Sequence, residues 1–569
     1  MNQVVIPIPV ASIGRQRKRS QPKGRQVDPA ALAEVRAVLG DMPRRRDLLI
    51  EHLHAINDRY GQLAVPHLAA LAAELKLSQA EVYEVATFYH HFDVVRGDAD
   101  GNIAPPPAVT VRVCEGIACE LAGARDLLQR LPALLDADVR VVAAPCIGRC
   151  EKAPAALVGQ NPVDHADPAT IAQRVSARAT RHDPEPWIGM NAYVQQGGYA
   201  LLRALADGTL AAEDAIVAME QAGLRGLGGA GFPAGRKWRI VRSEPGPRLM
   251  AVNIDEGEPG TFKDRVYLER DPHRFLEGML IAARVVEIDA IYIYLRDEYA
   301  GCRALLTDAL RELAEAPPCT GLPPISLRRG AGAYICGEES AMIESIEGKR
   351  GWPRLRPPYV AQVGLFGRPT LEHNFETLYW VRDILERGPG WFASQGRHGR
   401  KGLRSFSVSG RVKRPGVHLA PAGITVRELI DEYSGGMLDG HTFYGYLPGG
   451  ASGGILPASL GDIPLDFDTL QPHGCFIGSA AVVVLSDHDR AVDVARNLMH
   501  FFRHESCGQC TPCRVGTAKA SELIAAPKWD LDALADLSAV MRDASICGLG
   551  QAAPNPIDSV VKYFPHELQ

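Results

Sequence analysis

The sequence predicts an α/β protein of several domains, and three observations support this fold class. The chain has 569 residues, 46% of them hydrophobic, which is more than one ordinary core holds. Helical segments alternate with apolar, strand-like runs through the middle of the chain, an order typical of a parallel sheet covered by helices. Eight of the twelve cysteines form two tight groups. We therefore expect three or four domains, two of which hold cysteine sites.

Composition argues against several classes of function. The formal net charge of −5 gives no general basic field that would attract nucleic acid. No window contains the roughly 18 consecutive apolar residues that a membrane-spanning helix needs. The apolar residues 1–10 contain two prolines and precede a basic stretch, which is the reverse of a secretory signal. We expect a soluble, cytoplasmic protein whose thiols bind metal and do not form disulfides.

The N-terminal third begins with a polar arm and continues as helices and strands. Residues 1–26 lack periodicity, which predicts a solvated arm or an arm that binds a partner subunit. Helical periodicity over residues 28–92 predicts a small helical bundle. Residues 108–113 and 139–143 are typical of strands, residues 171–180 of a helix, and the Pro-containing residues 181–187 of a linker.

Three further regions follow this linker. Residues 191–397 alternate helices with apolar runs such as 249–253 and 290–295, which predicts a largely parallel sheet. From about residue 402 to 487 the chain has short β-type runs with glycine turns, typical of a small β-rich domain. Residues 490–569 return to helical periodicity.

The first cysteine group follows the two strands predicted in the N-terminal third. Its members are Cys114, Cys119, Cys146 and Cys150. Four thiolates on two neighbouring loops match a binuclear iron–sulfur cluster, in which each iron takes two cysteines. A structural zinc site and unrelated buried thiols are the alternatives. Together with the helical bundle, the segments VCEGIACELAG and APCIGRCEKAPA resemble the family of 24-kDa subunits of respiratory complex I, which implies a thioredoxin-like [2Fe-2S] domain.

Three glycine-rich or acidic segments lie in the predicted parallel-sheet region. Residues 226–231 form a GxGxxG loop, which suits a close approach of backbone N–H groups to a phosphate but also marks many ordinary tight turns. Residues 253–265 (NIDEGEPGTFKDR) follow a predicted strand and concentrate carboxylates where open α/β sheets place ligands. Residues 330–340 combine glycine turns with paired carboxylates.

Together these segments resemble the family of 51-kDa subunits of complex I, which includes diaphorase subunits of NAD-reducing hydrogenases and β subunits of soluble formate dehydrogenases. The resemblance implies FMN with NAD(H) stacked on its ring. The implied FMN contacts are Gly226, Gly228, Gly229, Lys237, Asn253, Asp255, Glu256, Gly337, Asn374 and Thr377. The implied NAD(H) contacts are Phe232, Glu258, Glu338, Glu339, Arg356 and Tyr359. Glu256 and Glu258 are the candidate catalytic residues, with an electrostatic role near the flavin.

Several positions depart from the commonest pattern of this family. Leu227 stands where Arg is usual, and His373 where the first Asn of a pair is usual. Arg356 replaces the usual Lys, which keeps the charge but changes its geometry, and Tyr359 replaces Phe, which keeps a stacking face. These departures concern details of nicotinamide binding and leave the prediction of an FMN site unchanged.

The second cysteine group lies in the C-terminal helical region. Its members are Cys507, Cys510, Cys513 and Cys547. Three cysteines at two-residue spacing with a distant fourth match a [4Fe-4S] cubane, with zinc as the alternative. The segment ESCGQCTPCRVG matches the same 51-kDa family, which implies that the cubane exchanges single electrons with FMN.

The two resemblances together predict the domain organisation. We expect a basic arm (1–26), a helical bundle with the thioredoxin-like [2Fe-2S] domain (27–180), a Rossmann-like FMN/NAD domain (188–400), a β-grasp, ubiquitin-like domain (401–487) and a C-terminal helical bundle with the [4Fe-4S] cluster (488–569).

The resemblance also predicts a partner. Because no motif here would hold molybdenum, tungsten or nickel–iron, another polypeptide must oxidise the substrate. The first hypothesis is the diaphorase subunit of a soluble formate dehydrogenase, beside a large formate-oxidising subunit with molybdenum or tungsten and iron–sulfur clusters. The alternatives are the diaphorase subunit of an NAD-reducing hydrogenase and a fused NADH dehydrogenase subunit of a complex I-like enzyme. A structural subunit that keeps only its metals is disfavoured by the intact flavin motifs.

Overall fold

The computed structural model of the protein describes residues 26–568. The predicted N-terminal arm, except for its last residue, lies outside the described residues. In the first third the helices are α1 (Pro29–Leu39), α2 (Leu49–Tyr60), α3 (Val65–Leu75), α4 (Gln79–Phe88), α5 (Ile117–Leu121), α6 (Ala124–Arg130) and α7 (Pro168–Ser176). The strands are β1 (Leu63–Ala64), β2 (Val94–Val95), β3 (Val109–Cys114), β4 (Val139–Ala144), β5 (Ala156–Val158) and β6 (Asn161–Val163).

The predicted helical bundle is formed by α1 to α4. Leu49, Leu53 and Ile56 lie on one face of α2 and are fully buried, as the helical spacing of apolar residues requires. At the start of α4, Ser78 accepts from the amide of Glu81 and Glu81 accepts from the amide of Ser78. This capping box satisfies two amides that the first turn leaves without helical partners. The sequence prediction of the bundle is confirmed.

Four strands form the sheet that holds the first cysteine group. Their order is β4-β3-β5-β6, with β3 and β4 parallel and the other pairs antiparallel. Both predicted strands are present, whereas β5 and β6 are too short to show a clear periodicity. The predicted helix at 171–180 is α7, which ends at Ser176, and Arg178 then takes a left-handed conformation (φ 50°).

The middle region is an α/β domain with a four-stranded, fully parallel sheet. Its order is β10-β7-β8-β9. The strands are β7 (Arg248–Ile254), β8 (Ile288–Leu295), β9 (Ile325–Arg329) and β10 (Thr370–Asn374). The helices are α8 (Met190–Gln195), α9 (Ala200–Ala206), α10 (Ala212–Ala222), α11 (Ala234–Ser243), α12 (Lys263–Arg270), α13 (Pro272–Val286), α14 (Ala300–Glu315), α15 (Glu339–Ile346), α16 (Phe375–Tyr379), α17 (Val381–Arg387) and α18 (Pro389–Ala393).

The β-rich region follows as a five-stranded sheet of order β12-β11-β15-β13-β14. Its elements are β11 (Leu403–Gly410), β12 (Gly416–Pro421), α19 (Val426–Glu428) with a π-helical continuation (Leu429–Tyr433), β13 (Phe443–Leu447), β14 (Leu456–Pro457) and β15 (Ala481–Ser486). The C-terminal region is helical: α20 (Ala491–Glu505), α21 (Thr511–Ala525), α22 (Leu531–Ala544), α23 (Gly548–Ala552) and α24 (Asn555–Tyr563). Between residues 26 and 568, no helix combines the length and apolarity that crossing a bilayer requires.

Buried ion pairs join the N-terminal third to the α/β domain. The Arg328 guanidinium lies 2.7 Å from Asp47 and 3.0 Å from Glu51 of the helical bundle. Arg265 donates to the Gly148 carbonyl over 2.9 Å and pairs with Glu151, next to the first cysteine group. A buried arginine without its partners is costly, so these contacts fix how the two parts dock.

Candidate functional site

A cavity lies at the carboxyl end of the parallel sheet. The carboxyl ends of β7, β9 and β10 lead into loops that line a cavity of about 260 Å³, as expected for ligand sites in open α/β sheets. The lining includes these residues that the sequence predicts as cofactor contacts: Gly228, Gly229, Asn253, Asp255, Glu256, Glu258, Gly337, Glu338 and Asn374. The structure therefore brings together residues from all three segments that the sequence singled out.

The glycine loop between α10 and α11 approaches the end of β10 closely. The Gly226 amide donates to the Phe232 carbonyl over 2.8 Å and closes the loop, and the Leu227 amide donates to the Thr377 hydroxyl over 2.9 Å. A Cβ on Gly228 would lie 2.9 Å from the Cβ of Asn374, closer than real Cβ contacts. A side chain at residue 228 would therefore push the loop away from the cavity.

The acidic loop after β7 presents a carboxylate to the cavity. The Asp255 Oδ2 atom is buried and has no hydrogen-bond partner within the described part of the chain. Burial raises the pKa of Asp255 well above its usual range. The Asp255 carboxyl can therefore pair with a polar group of a bound molecule, as an acceptor when ionised and as a donor or acceptor when protonated.

Glu256 has its carboxylate held by the protein. Its two oxygens accept from the amides of Asp264 (2.8 Å) and Arg265 (3.2 Å) at the start of α12, and Oε2 also accepts from the Tyr299 hydroxyl over 2.9 Å. Burial, with Asp264 nearby, raises the pKa of Glu256 to about 7. The Glu256 side chain is thus fixed in position and titrates near neutral pH.

Glu258 connects the α/β domain to the β-rich region. It accepts from the Ser452 amide over 2.7 Å and from the hydroxyl of Tyr334, which follows β9. Burial raises the pKa of Glu258, and these hydrogen bonds oppose the rise. Glu258 therefore helps to close the cavity between the two regions.

One cation lines the cavity but is already neutralised. The Lys263 ammonium is 1% exposed and lies 2.6 Å from Asp264 and 3.0 Å from Glu376. These carboxylates raise the pKa of Lys263 against the effect of burial. Because the surrounding acids outnumber this cation, further negative charge inside the cavity is disfavoured.

Other predicted residues lie outside the cavity lining. The Thr377 hydroxyl holds the glycine loop, and the Lys237 ammonium donates to the Glu372 carbonyl over 3.0 Å. Phe232 and Tyr359 have exposed rings (38% and 56%), and Gly226 closes the loop through its backbone. Their predicted roles in binding FMN or NAD(H) stay predictions.

Glu338 and Glu339 share one arginine. Arg356 pairs with Glu338 and lies 2.8 Å from Glu339. The other Glu338 oxygen accepts from the amides of Ser340 and Ala341 and caps α15. Burial and the nearby Glu372 raise the pKa of Glu339. These contacts keep the paired carboxylates beside the cavity, with only Glu338 on its lining.

Sequence reasoning did not assign every residue of the cavity wall: six lie within the two singled-out segments 253–265 and 330–340, and eight come from the β-rich and C-terminal regions. The missed lining residues are Gly257, Thr261, Lys263, Asp264, Tyr334, Ile335, Gly449, Ser452, Phe476, Gly478, Ser479, Gly548, Leu549 and Ala552. Gly449 lies in a Pro-Gly-Gly sequence of the β-rich region, a pattern that indicates a turn but not a ligand site. Gly548 directly follows Cys547, so the second cysteine group adjoins the cavity.

The first cysteine group is enclosed. Cys114, Cys119, Cys146 and Cys150 are each 1–4% exposed. The Cys114 thiol lies within hydrogen-bonding reach of Cys119 and Cys146, and the sulfurs of Cys146 and Cys150 are 3.4 Å apart. The structure therefore gathers the four predicted ligands into one sulfur cluster.

The α/β domain supplies part of the surroundings of this group. Arg296, which follows β8, donates to the Cys146 carbonyl over 2.6 Å and to the Glu256 carbonyl. The Gly260 amide faces the Cys146 sulfur, and Phe262 packs against Cys146 and Cys150. The acidic loop thus touches the cavity on one side and the first cysteine group on the other.

The second cysteine group lies at two helix starts. Cys510 and Cys547 are the N-caps of α21 and α23, where backbone amides favour negative charge. Burial, together with the thiols of the other three members, raises the pKa of Cys513 to about 12. The four thiols converge, and the three other than Cys513 are only half-buried.

The donor sets fit the predicted groups. All twelve cysteines are free thiols, and burial makes ionisation of Cys513 and Cys547 unfavourable unless a metal compensates. Four converging sulfurs in each group suit iron–sulfur clusters. The unpartnered Asp255 oxygen and the bare backbone at Gly228 suit a flat molecule with N–H donors, such as FMN.

Three known protein families match separate parts of the chain. The family described as Nuo51 FMN-binding domain matches residues 219–383. The NADH-ubiquinone oxidoreductase-F iron-sulfur binding region matches residues 493–569, and the Thioredoxin-like [2Fe-2S] ferredoxin family matches residues 35–178. These matches bear out the predicted fold class and the predicted cofactors: FMN, a [2Fe-2S] cluster, a [4Fe-4S] cluster and NAD(H).

Curated relatives and solved structures extend the likeness. The F 2 subunit of the NADH-quinone oxidoreductase of Rhizobium meliloti is 40% identical over 394 residues, which are 67% of this chain and 93% of the relative. The mitochondrial 51 kDa subunit of NADH-ubiquinone oxidoreductase of Neurospora crassa is 41% identical over 62% of this chain and 75% of its own. A chain of an NAD+-reducing [NiFe]-hydrogenase in the H2-reduced state shares 33% identity, covers 92% of this chain and 93% of its own, and superposes with a TM-score of 0.81.

Proposed function

The chain belongs to the family of the F, or 51 kDa, subunits of NADH-quinone oxidoreductases, and on that premise we propose that it exchanges hydride with NAD(H) as one subunit of a larger redox complex. The observation that carries the proposal is the position of the cavity between the two cysteine groups. The acidic loop lines the cavity and touches Cys146, while Gly548 lines it from beside Cys547. FMN, when bound, supplies the conversion between hydride transfer and single-electron transfer that iron–sulfur clusters require.

The roles of the chain's own residues follow from their contacts. We propose that Gly228 and Gly229 admit the flavin by leaving backbone without side chains, and that the free Asp255 oxygen orients it. Glu256 and Glu258 are held by hydrogen bonds, so they present fixed carboxylates beside the ring. Their electrostatic effect is to disfavour excess negative charge in the cavity.

The nicotinamide side of the site is tested by changing Glu258 to Gln. The substitution weakens the acceptor for Ser452 and Tyr334 and removes a carboxylate from the wall. We expect the KM for NADH in ferricyanide reduction to rise by on the order of tenfold, with FMN content unchanged. Glu315→Gln, at an exposed position of the same domain, is the control. Loss of the yellow flavin would instead assign Glu258 to the FMN contacts.

For the partner, we propose a large formate-oxidising subunit with molybdenum or tungsten and iron–sulfur clusters. The support is the fusion of both complex I-like units, the chain length, and the stretches KGRQVDP (residues 23–29) and RRRDLLIEHLH (residues 44–54), which resemble formate dehydrogenase β subunits. The second candidate is the diaphorase subunit of an NAD-reducing hydrogenase, favoured by the likeness to a hydrogenase chain along nearly the full length. A fused NADH dehydrogenase subunit of a complex I-like enzyme is the third.

Reconstitution separates these candidates. Alone, the chain should reduce ferricyanide or viologen dyes with NADH but should not reduce NAD+ with formate or hydrogen. Adding the large subunit that co-purifies with it should restore formate-dependent NAD+ reduction. Restoration by hydrogen only would favour the hydrogenase candidate, and formate-dependent activity of the chain alone would contradict the division between two subunits.

A further inference from the structure

A cluster of two imidazoles and a carboxylate lies at the surface beside the second cysteine group. Its members are His90, His504 and Glu505, and one ligand atom from each lies within 4.8 Å of the others. His90 follows α4 of the helical bundle, whereas His504 and Glu505 end α20. The cluster therefore joins two segments that are far apart in the sequence.

The backbone around this cluster is fixed, while the imidazoles have room to move. The His90 amide donates to the Gly332 carbonyl over 3.1 Å, and Glu505 accepts from the Tyr334 amide over 2.9 Å. The His90 and His504 rings stack with centroids 4.1 Å apart, and His504 Nδ1 lies 3.1 Å from Glu505 Oε1. The His504 side chain is 35% exposed, so it can rotate without disturbing the core.

The charges around the cluster favour a cation. The carboxylates of Glu298 and Glu505 face His90, and those of Glu505 and Glu115 face His504. A second group, His54, His91 and Asp297, is buried nearby in the fold. There Arg329 and Arg303 already pair with Asp297 at 2.6 and 3.3 Å, which leaves no net attraction for a metal ion. Within residues 26–568 no arginine forms an ion pair with Glu505, so the cluster of His90, His504 and Glu505 is the better candidate.

We propose that His90, His504 and Glu505 form a binding site for a single Zn2+ ion, in addition to the two iron–sulfur sites. Two imidazoles and one carboxylate are a ligand set that zinc uses, with the fourth position left for water. Ligand atoms around a tetrahedral zinc lie roughly 3.3 Å apart, so a modest rotation of the exposed rings closes the site. The ion would clamp the end of the helical bundle to α20, two residues before Cys507.

Zinc binding to the complete holoprotein tests this proposal. The protein, with clusters and flavin in place, is titrated with Zn2+ in competition with a chromogenic chelator of known affinity. We expect one zinc per chain at the tightest site. His90→Ala combined with His504→Ala should weaken that site at least about tenfold, with flavin and iron content unchanged. His90→Gln combined with His504→Gln repeats the test with side chains closer in size.

The matched control removes another histidine pair. His441 and His488 form an exposed cluster with Asp487 in the β-rich region, and His441→Ala with His488→Ala should leave the tightest site intact. Zinc K-edge absorption should show nitrogen and oxygen ligands at about 2.0–2.1 Å. A sulfur shell at about 2.3 Å would place zinc in a cysteine group and overturn the proposal. Equal zinc affinity in the wild-type protein and in the variant that combines His90→Ala with His504→Ala would also overturn it.

Discussion

The two cysteine groups differ in where their surroundings come from. Around Cys146, the contacts come from Arg296, Gly260 and Phe262, more than a hundred residues away in the chain. Around the second group, Ser506 contacts Cys513 and Arg514 binds a carbonyl of the same loop, while the α/β domain adds the Trp352 indole, which donates to the Cys507 carbonyl over 3.1 Å. A tight cysteine spacing can therefore build most of a cubane site locally, whereas the binuclear site is completed only when the α/β domain docks.

The largest expected difference comes from removing one ligand at each site. Cys510→Ser should remove the cubane and leave FMN bound, because a serine oxygen is a poor substitute for thiolate on iron. Cys146→Ser should remove the binuclear cluster and also weaken FMN retention, because the acidic loop packs on Cys146. Iron content, flavin content and low-temperature paramagnetic resonance of the reduced protein measure both effects. Unchanged iron in Cys510→Ser would break the assignment of the cubane.

Two arginines, one buried and one exposed, test whether burial explains the difference between the surroundings of the two cysteine groups. Arg296 donates to the Cys146 carbonyl from a buried position, and Arg514 donates to the Gly508 carbonyl from an exposed one. Arg296→Met should cost about 3 kcal/mol or more, because it leaves buried acceptors and Glu298 without a partner. Arg514→Met should cost about 0.5 kcal/mol. The temperature at which each cluster loses its visible absorbance measures the destabilisation caused by each substitution. An equal decrease of this temperature in the two variants would contradict the predicted difference.

Titration of Glu256 should make the stability of the folded protein around the first cysteine group depend on pH. The pKa of Glu256 is raised from 4.5 to about 7, so the folded protein holds a proton that the unfolded chain releases. The resulting stabilisation is complete below about pH 4.5 and is lost as pH rises through about 7, at most about 3 kcal/mol in all.

Between about pH 5.5 and pH 8, the temperature at which the binuclear cluster is lost should therefore fall in the wild-type protein. Glu256→Gln should flatten this slope, and Glu315→Gln should not. A slope unchanged by Glu256→Gln would assign the pH dependence to other groups.

The smallest difference between the two sites is expected from substituting one glycine at each of them. A Cβ on Gly550 would lie 2.9 Å from the Cβ of Cys513, and a Cβ on Gly116 would lie 3.2 Å from that of Cys146. Overpacking costs about 1–3 kcal/mol, so Gly550→Ala should speed cubane loss more than Gly116→Ala speeds loss of the binuclear cluster. The rate of iron release to a chelator measures both. Faster iron release from Gly116→Ala than from Gly550→Ala would mean that the buried first cysteine group accommodates an added Cβ less well than the half-buried second group.

The sequence predicted ligands better than it predicted surroundings. The eight cysteines, and the two strands before the first group, could be found because spacing and alternation are local properties. Phe476 could not be placed at the cavity, because its position depends on how the β-rich region packs against the α/β domain. The Thr377 hydroxyl accepts from the Leu227 amide, a contact that the sequence could not show, and its expected contact with FMN stays a prediction. Membership of segments 253–265 and 330–340 was a signal for wall residues such as Lys263 and Tyr334, and the glycine turn at residue 449 was a weaker one.

The docking of Arg328 on Asp47 and Glu51 takes place within one polypeptide. If the two parts were separate chains, their pairing would depend on concentration, and dilution would leave some α/β domains without a binuclear cluster. Covalent linkage through residues 181–189 replaces that equilibrium by an intramolecular one, with an effective concentration on the order of millimolar. Every copy of the protein therefore carries both cysteine groups in a fixed one-to-one ratio, even when the protein concentration is low.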